Sequence, residues 1–216
     1  MQKRFISPVE MENIAESVLT NGGIPFVWQG SVIRVDIDAL IEFEYGLEII
    51  WENIDHLAPD EVVLAAILPK RKQICMNEAK KTLFEEKMGT MNFSKAHELG
   101  HWILHVTEQQ DYEQLSFSDN EKYFCRSMAR KPPHEIQADM FAASILMPKD
   151  IVCGAINKIK ETANVTFPDL YRLKDEFEVS ISALTRRAQE LKLLHIEDGK
   201  VYCSEAEALG QYSLLD

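Results

Sequence analysis

His97 and His101 stand four residues apart in the run His97-Glu98-Leu99-Gly100-His101. On an α-helix, residues at that spacing lie one above the other, so both imidazoles can reach one tetrahedral Zn²⁺ at roughly 2.0–2.1 Å. Glu98 is turned about 100° from His97 around the same helix. Its carboxylate then sits beside the open coordination position, where it can take the proton of a metal-polarised water. An H-E-x-x-H run on a helix is a zinc-hydrolase signature. Chance explains it poorly: with 6 histidines in 216 residues and the chain's own glutamate content, about 0.02 accidental matches are expected. The bland alternative is a pair of histidines that merely hydrogen-bond on a partly buried helix. A third ligand would weigh against it.

One is available downstream, between Glu135 and Pro148. Ile136, Met140, Ala143 and Leu146 or Met147 recur at three- and four-residue steps, which predicts a second helix stopped by Pro148. Glu135 and Asp139 share a face of it. The pattern suits Glu135 as the third protein ligand of a two-His, one-Glu site. Asp139 would accept a hydrogen bond from the far nitrogen of one zinc histidine. A solvated acidic face is the ordinary alternative, but the apolar register sets this pair beside the buried stripe. His105 invites a three-His site instead. On an unbroken helix, however, residues 97, 101 and 105 drift about 40° per step and span about 12 Å. No Gly lies between His101 and His105 to end the helix. His105 therefore reads as structural, or as a hydrogen-bonding partner behind the ligands.

Around these residues the chain resembles the ImmA/IrrE family of metallo-endopeptidases. The likeness rests on Val35-Asp36-Ile37-Asp38-Ala39-Leu40-Ile41 with Tyr45-Gly46-Leu47-Glu48-Ile49, on Ile74-Cys75-Met76-Asn77, and on Asn92-Phe93-Ser94-Lys95-Ala96 leading into the zinc run. Tyr123-Phe124-Cys125-Arg126, the Glu135–Pro148 block, and Phe177-Glu178-Val179-Ser180 with Ala183, Leu184 and Arg187 complete it, so that it covers roughly residues 8–195 in family order. Two departures stand out. Lys95 occupies a position that is apolar in many members, and Ala65-Ala66 replaces a frequent Gly. The resemblance implies a gluzincin-like protease that cuts a helix-turn-helix repressor, often encoded beside it on a phage or mobile element. It carries zinc binding onto His97, His101 and Glu135, and the general base onto Glu98.

The elements that must hold this site can also be outlined. Ser7-Pro8-Val9-Glu10 is a capping box with Pro at the first helical position, opening a helix that ends near Gly22. Residues 62–68 and 72–77 read as strands joined by a Pro-Lys-Arg turn. The second of them, Gln73 to Asn77, is short and charge-flanked, and is expected to be an exposed edge on which an extended substrate could pair. Residues 108–121 are acidic and 122–131 basic, and together they read as a loop near the cleft with a short strand at Tyr123 to Ser127. For the oxyanion, Tyr123, Arg126 and His134 are candidates by chemistry alone.

Residues 148–158 read as a helix. Phe167 to Phe177 and Ser180 to Lys192 follow as two more, then a hairpin turning at Asp198-Gly199. That outline is winged-helix-like and supports a rival reading as a DNA-binding regulator. Charge opposes it: residues 166–203 carry six Lys/Arg against seven Asp/Glu, a net of −1. The whole chain is at −12, also against simple binding to nucleic acid or an anionic membrane. A zinc-binding pseudoenzyme is a third reading, weakened by an intact Glu98.

Cys75, Cys125, Cys153 and Cys203 are widely spaced and form no C-x-x-C pair, which fits reduced thiols in a cytosol. The start lacks an apolar signal region, and Val62 to Leu68, the longest apolar run, is too short to span a bilayer. The expectation is an α+β, zincin-like metallopeptidase core at 1–160, with a small sheet, an active-site helix and a glutamate-ligand helix. A helix-turn-helix-like region with a hairpin follows at 161–216, packed on that core. The function expected is zinc-dependent endoproteolysis of narrow specificity in the cytoplasm, acting on a protein substrate with no direct contact to nucleic acid or membrane.

Overall fold

The structure is a computed structural model that describes residues 6–57, 62–106 and 131–210, and the backbone alone of 114–117. It is a mixed α+β fold. Helix α1 (Pro8–Asn21) begins where expected, with Ser7 Oγ accepting from the Glu10 N–H at 3.2 Å and Pro8 in the first turn. The short α2 (Ile37–Ala39) is capped by Asp36 and runs into a π-helical turn, Leu40–Glu44. Strand β1 (Glu48–Glu52) follows, then β2 (Val63–Leu68) and β3 (Gln73–Asn77). The turn between β2 and β3 is the Pro69–Arg71 segment, closed by Lys72 in the left-handed region at φ 54°.

The sheet order is β1-β3-β2-β4, where β4 is Gln114–Phe117. This overturns two expectations. β3 is not an edge: β1 pairs with it in parallel on one side and β2 antiparallel on the other, so its backbone groups are engaged by the sheet and it has no edge for a substrate. Residues 114–117, read as loop, form a strand antiparallel to β2. The strand expected at 123–127 lies outside the described residues. Side chains of β2 and β3 divide between two faces, as a period of two requires. Ala65, Ile67, Ile74 and Met76 join the main core, while Val63, Ala66 and Cys75 pack with Ile54 on the opposite face. Asn77, fully buried at the end of β3, donates to Asp55 Oδ1 at 2.8 Å and Val63 O at 2.7 Å and accepts from the Ala79 N–H.

Against the core face lies α4 (Met88–His105), preceded by the short α3 (Lys81–Glu86). Next come α5 (Pro133–Leu146) and α6 (Lys149–Lys160), which meet at Met147-Pro148. α5 departs from the stripe read off the sequence: its deepest apolar positions are Ala138, Phe141, Ala142 and Ile145, while Ile136, Met140 and Ala143 are only half-buried. The helix is packed between α4 and α1, and burial on two sides erases a one-sided pattern.

The C-terminal elements are α7 (Phe167–Phe177), α8 (Ile181–Glu190), a hairpin of β5 (His195–Glu197) and β6 (Lys200–Tyr202), and a last turn, α9 (Glu205–Ala208). Asp198 and Gly199 both take positive φ, as a type I′ turn demands. Leu170, Leu173, Phe177 and Leu184 share one apolar cluster with Leu99, Phe141 and Ile145. Arg187, on α8, is buried and forms two hydrogen bonds to Glu12 of α1, at 2.6 and 2.8 Å, while its Nε donates to Met147 O at the end of α5. Lys95 of α4 is also buried, held by both oxygens of Asp38 at 2.7 and 2.8 Å.

Candidate metal centre

Helices α4 and α5 make the site by lying very close together. A Cβ on Gly100 would sit 3.0 Å from Phe141 Cδ1 and 3.3 Å from Ala138 Cα, so only a residue without a side chain permits this spacing comfortably. Across the contact, Nε2 of His97 is 3.0 Å from Nε2 of His101 and 3.2 Å from Glu135 Oε2, and His101 Nε2 is 3.3 Å from Glu135 Oε1. All three residues are buried. Four ligands at about 2.05 Å around a tetrahedral ion are roughly 3.3 Å apart. The two Nε2 atoms and the Glu135 carboxylate, one oxygen facing each histidine, are therefore spaced much as ligands of one ion are, and this His-His-Glu group could hold a divalent metal.

The partners behind the donors are ordered too. His97 Nδ1 lies 2.9 Å from Asp139 Oδ1, and Lys131 Nζ donates to Asp139 Oδ2 at 3.1 Å. His101 Nδ1 lies 3.0 Å from Nδ1 of His105. His105 thus stands behind the donors, outside the triad. Of the oxyanion candidates, His134 is at the site, its Nε2 3.4 Å from Glu135 Oε1, while Tyr123 and Arg126 lie outside the described residues. Glu98 is fully buried on α4, and its charge helps to raise the pKa of His97. Gln137, which the sequence reading passed over, lies 2.9 Å from Nε2 of His105. The remaining cysteines in view, Cys75, Cys153 and Cys203, are free, and Cys125 lies outside the described residues.

The electrostatics of the triangle favour a proton on His97. Burial alone would lower the pKa of His97, but hydrogen bonds to Asp139 and Glu135 outweigh it and lift the imidazole to about 10. Burial likewise opposes the Glu135 charge, yet the two histidines hold that carboxyl well below the usual range. Burial, with the neighbouring His97 charge, keeps His101 lowered and hence neutral. At pH 7 His97 is therefore held protonated, and a metal ion bound there would have to displace that proton. Proton and metal compete, so affinity rises with pH. The expected slope is about tenfold per unit from pH 7 to 9, flattening above about 10 as the proton leaves by itself. Competition against a chelator of known protonation at several pH values measures it, and a flat profile would contradict the assignment.

Among the described residues, no helix is long and apolar enough to cross a membrane. The family model Peptidase_M78, described as the IrrE N-terminal-like domain, matches residues 68–189, more than half of the chain. None of the curated proteins matches it. The matched span contains β3, α4 and α5, and with them His97, Glu98, His101, Glu135 and Asp139.

Proposed function

The chain belongs to the Peptidase_M78 family, that of the IrrE N-terminal-like domain, and from this we propose that it is a zinc-dependent endopeptidase of narrow specificity. The observation that carries the proposal is the buried triangle of His97, His101 and Glu135 donors with Glu98 on the same helix as both histidines. Zn²⁺ is the ion we assign, because two imidazoles and one carboxylate are the donor set of hydrolytic zinc sites that keep one position open. When bound, it supplies Lewis acidity toward the scissile carbonyl and acidifies a water. His97, His101 and Glu135 would hold it, and Asp139 would orient His97. Glu98 accepts the proton released as water attacks and delivers it to the departing amide nitrogen. The extended substrate then pairs along β4, the sheet edge that lies beside α4, in place of β3.

The substrate we propose is a helix-turn-helix repressor encoded nearby, its cleavage relieving repression in the cytoplasm. In this reading α7, α8 and the hairpin form a helix-turn-helix-like region at 161–216 on the core, and their net negative charge suits a protein partner better than DNA. The test is direct. Purified protein should contain one zinc per chain and, mixed with a repressor-like protein from the adjacent reading frame, should convert it to two discrete fragments. Chelation should stop the conversion and added zinc restore it. A zinc-loaded protein that leaves every such candidate intact would refute the substrate assignment, and a chain that binds no zinc would refute the metal.

A further inference from the structure

We infer that His105 and Gln137 are positioning residues for the metal site. They form a relay, from Gln137 through His105 to His101, that decides whether the His101 nitrogen facing the ion carries a lone pair or a proton. The inference rests on reading His97, His101 and Glu135 as a metal centre. The two histidines are backed by different chemistry. Behind His97 stands a carboxylate, Asp139, steadied by Lys131. Behind His101 stands an imidazole, Nδ1 to Nδ1 at 3.0 Å, and behind that imidazole the Oε1 of Gln137 at 2.9 Å.

The polarity of this chain follows from its far end. A carbonyl oxygen only accepts, so His105 Nε2 donates to Gln137. In its neutral form His105 has one N–H, so its Nδ1 then accepts and Nδ1 of His101 donates to it. That leaves the lone pair of His101 on Nε2, turned toward His97 and Glu135. Reversing the Gln137 amide reverses each bond in turn and puts an N–H on His101 Nε2, 3.0 Å from His97 Nε2, where no ion can enter. Only one polarity is compatible with a metal. Gln137 is buried, so the orientation of its amide is held by the protein packed around it and not by solvent. It also sits on α5, so that one helix supplies the Glu135 donor, Asp139 behind His97 and the far end of the relay behind His101. His105, the member of the 97-101-105 series that cannot reach the ion, thereby acquires a function.

Four variants test this: His105→Phe, Gln137→Met, the two combined, and Gln137→Glu. Zn²⁺ affinity is measured by competition with a chromophoric chelator, and the visible spectrum of the Co²⁺-loaded protein is recorded. The thermal midpoint of each metal-free variant controls for folding. His105→Phe should weaken zinc binding about 10- to 100-fold, the usual loss when a group behind a ligand is removed, and Gln137→Met should do the same. The double variant should be no weaker than His105→Phe, because links in series are not additive. Gln137→Glu, an acceptor that cannot be reversed, should keep wild-type affinity and the wild-type Co²⁺ bands. Wild-type zinc affinity in His105→Phe or Gln137→Met, or losses that add in the double variant, overturns the relay. Should His105→Phe fail to fold, Gln137→Met against Gln137→Glu decides the matter alone. A wild-type chain that binds no zinc overturns instead the metal centre beneath it, so the two failures are told apart.

Discussion

Glu98→Gln should abolish peptide cleavage while leaving fold and metal content at wild-type levels. The side chain is fully buried and the replacement has nearly its size and shape, so no cavity opens and no donor of the His97, His101, Glu135 triangle is removed. What is lost is the ability to take a proton. An amide cannot accept one near neutral pH, and general acid–base groups contribute roughly 10²- to 10⁴-fold. The loss should fall on kcat and on kcat/KM equally, because the interaction exists only once water begins to attack. Three measurements on one preparation suffice: metal per chain, thermal midpoint and cleavage rate. Cleavage at the wild-type rate would remove Glu98 from the mechanism, whereas loss of metal together with activity would make it a part of the site's framework instead.

What could be seen in the chain beforehand was what is local. His97 and His101 fall on one helix face through the period of 3.6, and Glu135 and Asp139 do so on the next helix, so the residues that converge were legible from spacing. Ser7, Thr166, Ser180 and the Asp198-Gly199 pair mark element ends by their own hydrogen bonds and dihedrals, which is why α1, α7, α8 and the hairpin fall near their expected positions. The errors came where the answer depends on a distant neighbour. β3 is short and charge-flanked as an edge strand would be, and only the arrival of β1 alongside it makes it central. The Gln114–Phe117 strand is defined by β2, some fifty residues earlier, more than by its own sequence. Gln137 lies about 160° around an ideal helix from Glu135, so no helical wheel would have paired it with the site. No periodicity connects Glu12 to Arg187, or Asp38 to Lys95.

Those two ion pairs should respond unequally to substitution. Glu12→Leu should cost about 3–5 kcal/mol, and Lys95→Leu no more than about 1 kcal/mol. Both pairs contain one buried cation, so the difference lies in which partner is left behind. Arg187 is 4% exposed and Glu12 17%, and the guanidinium also donates to Met147 O while Ser144 Oγ donates to Glu12. Removing Glu12 strands a cation that cannot shed its proton in the contact between α1, α5 and α8. Lys95 is 5% exposed but Asp38 is 48% exposed, so removing the lysine leaves a carboxylate already in water and puts an apolar side chain into an apolar position. For a chain of this size 3–5 kcal/mol corresponds to a fall of roughly 10 °C in thermal midpoint, and 1 kcal/mol to about 3 °C. Because Arg187 secures the end of α5, Glu12→Leu should also loosen the helix that carries Glu135 and lower metal retention, whereas Lys95→Leu should hold its metal as the wild type does. Equal losses of stability in the two variants would mean that the exposure of the surviving partner does not govern the cost.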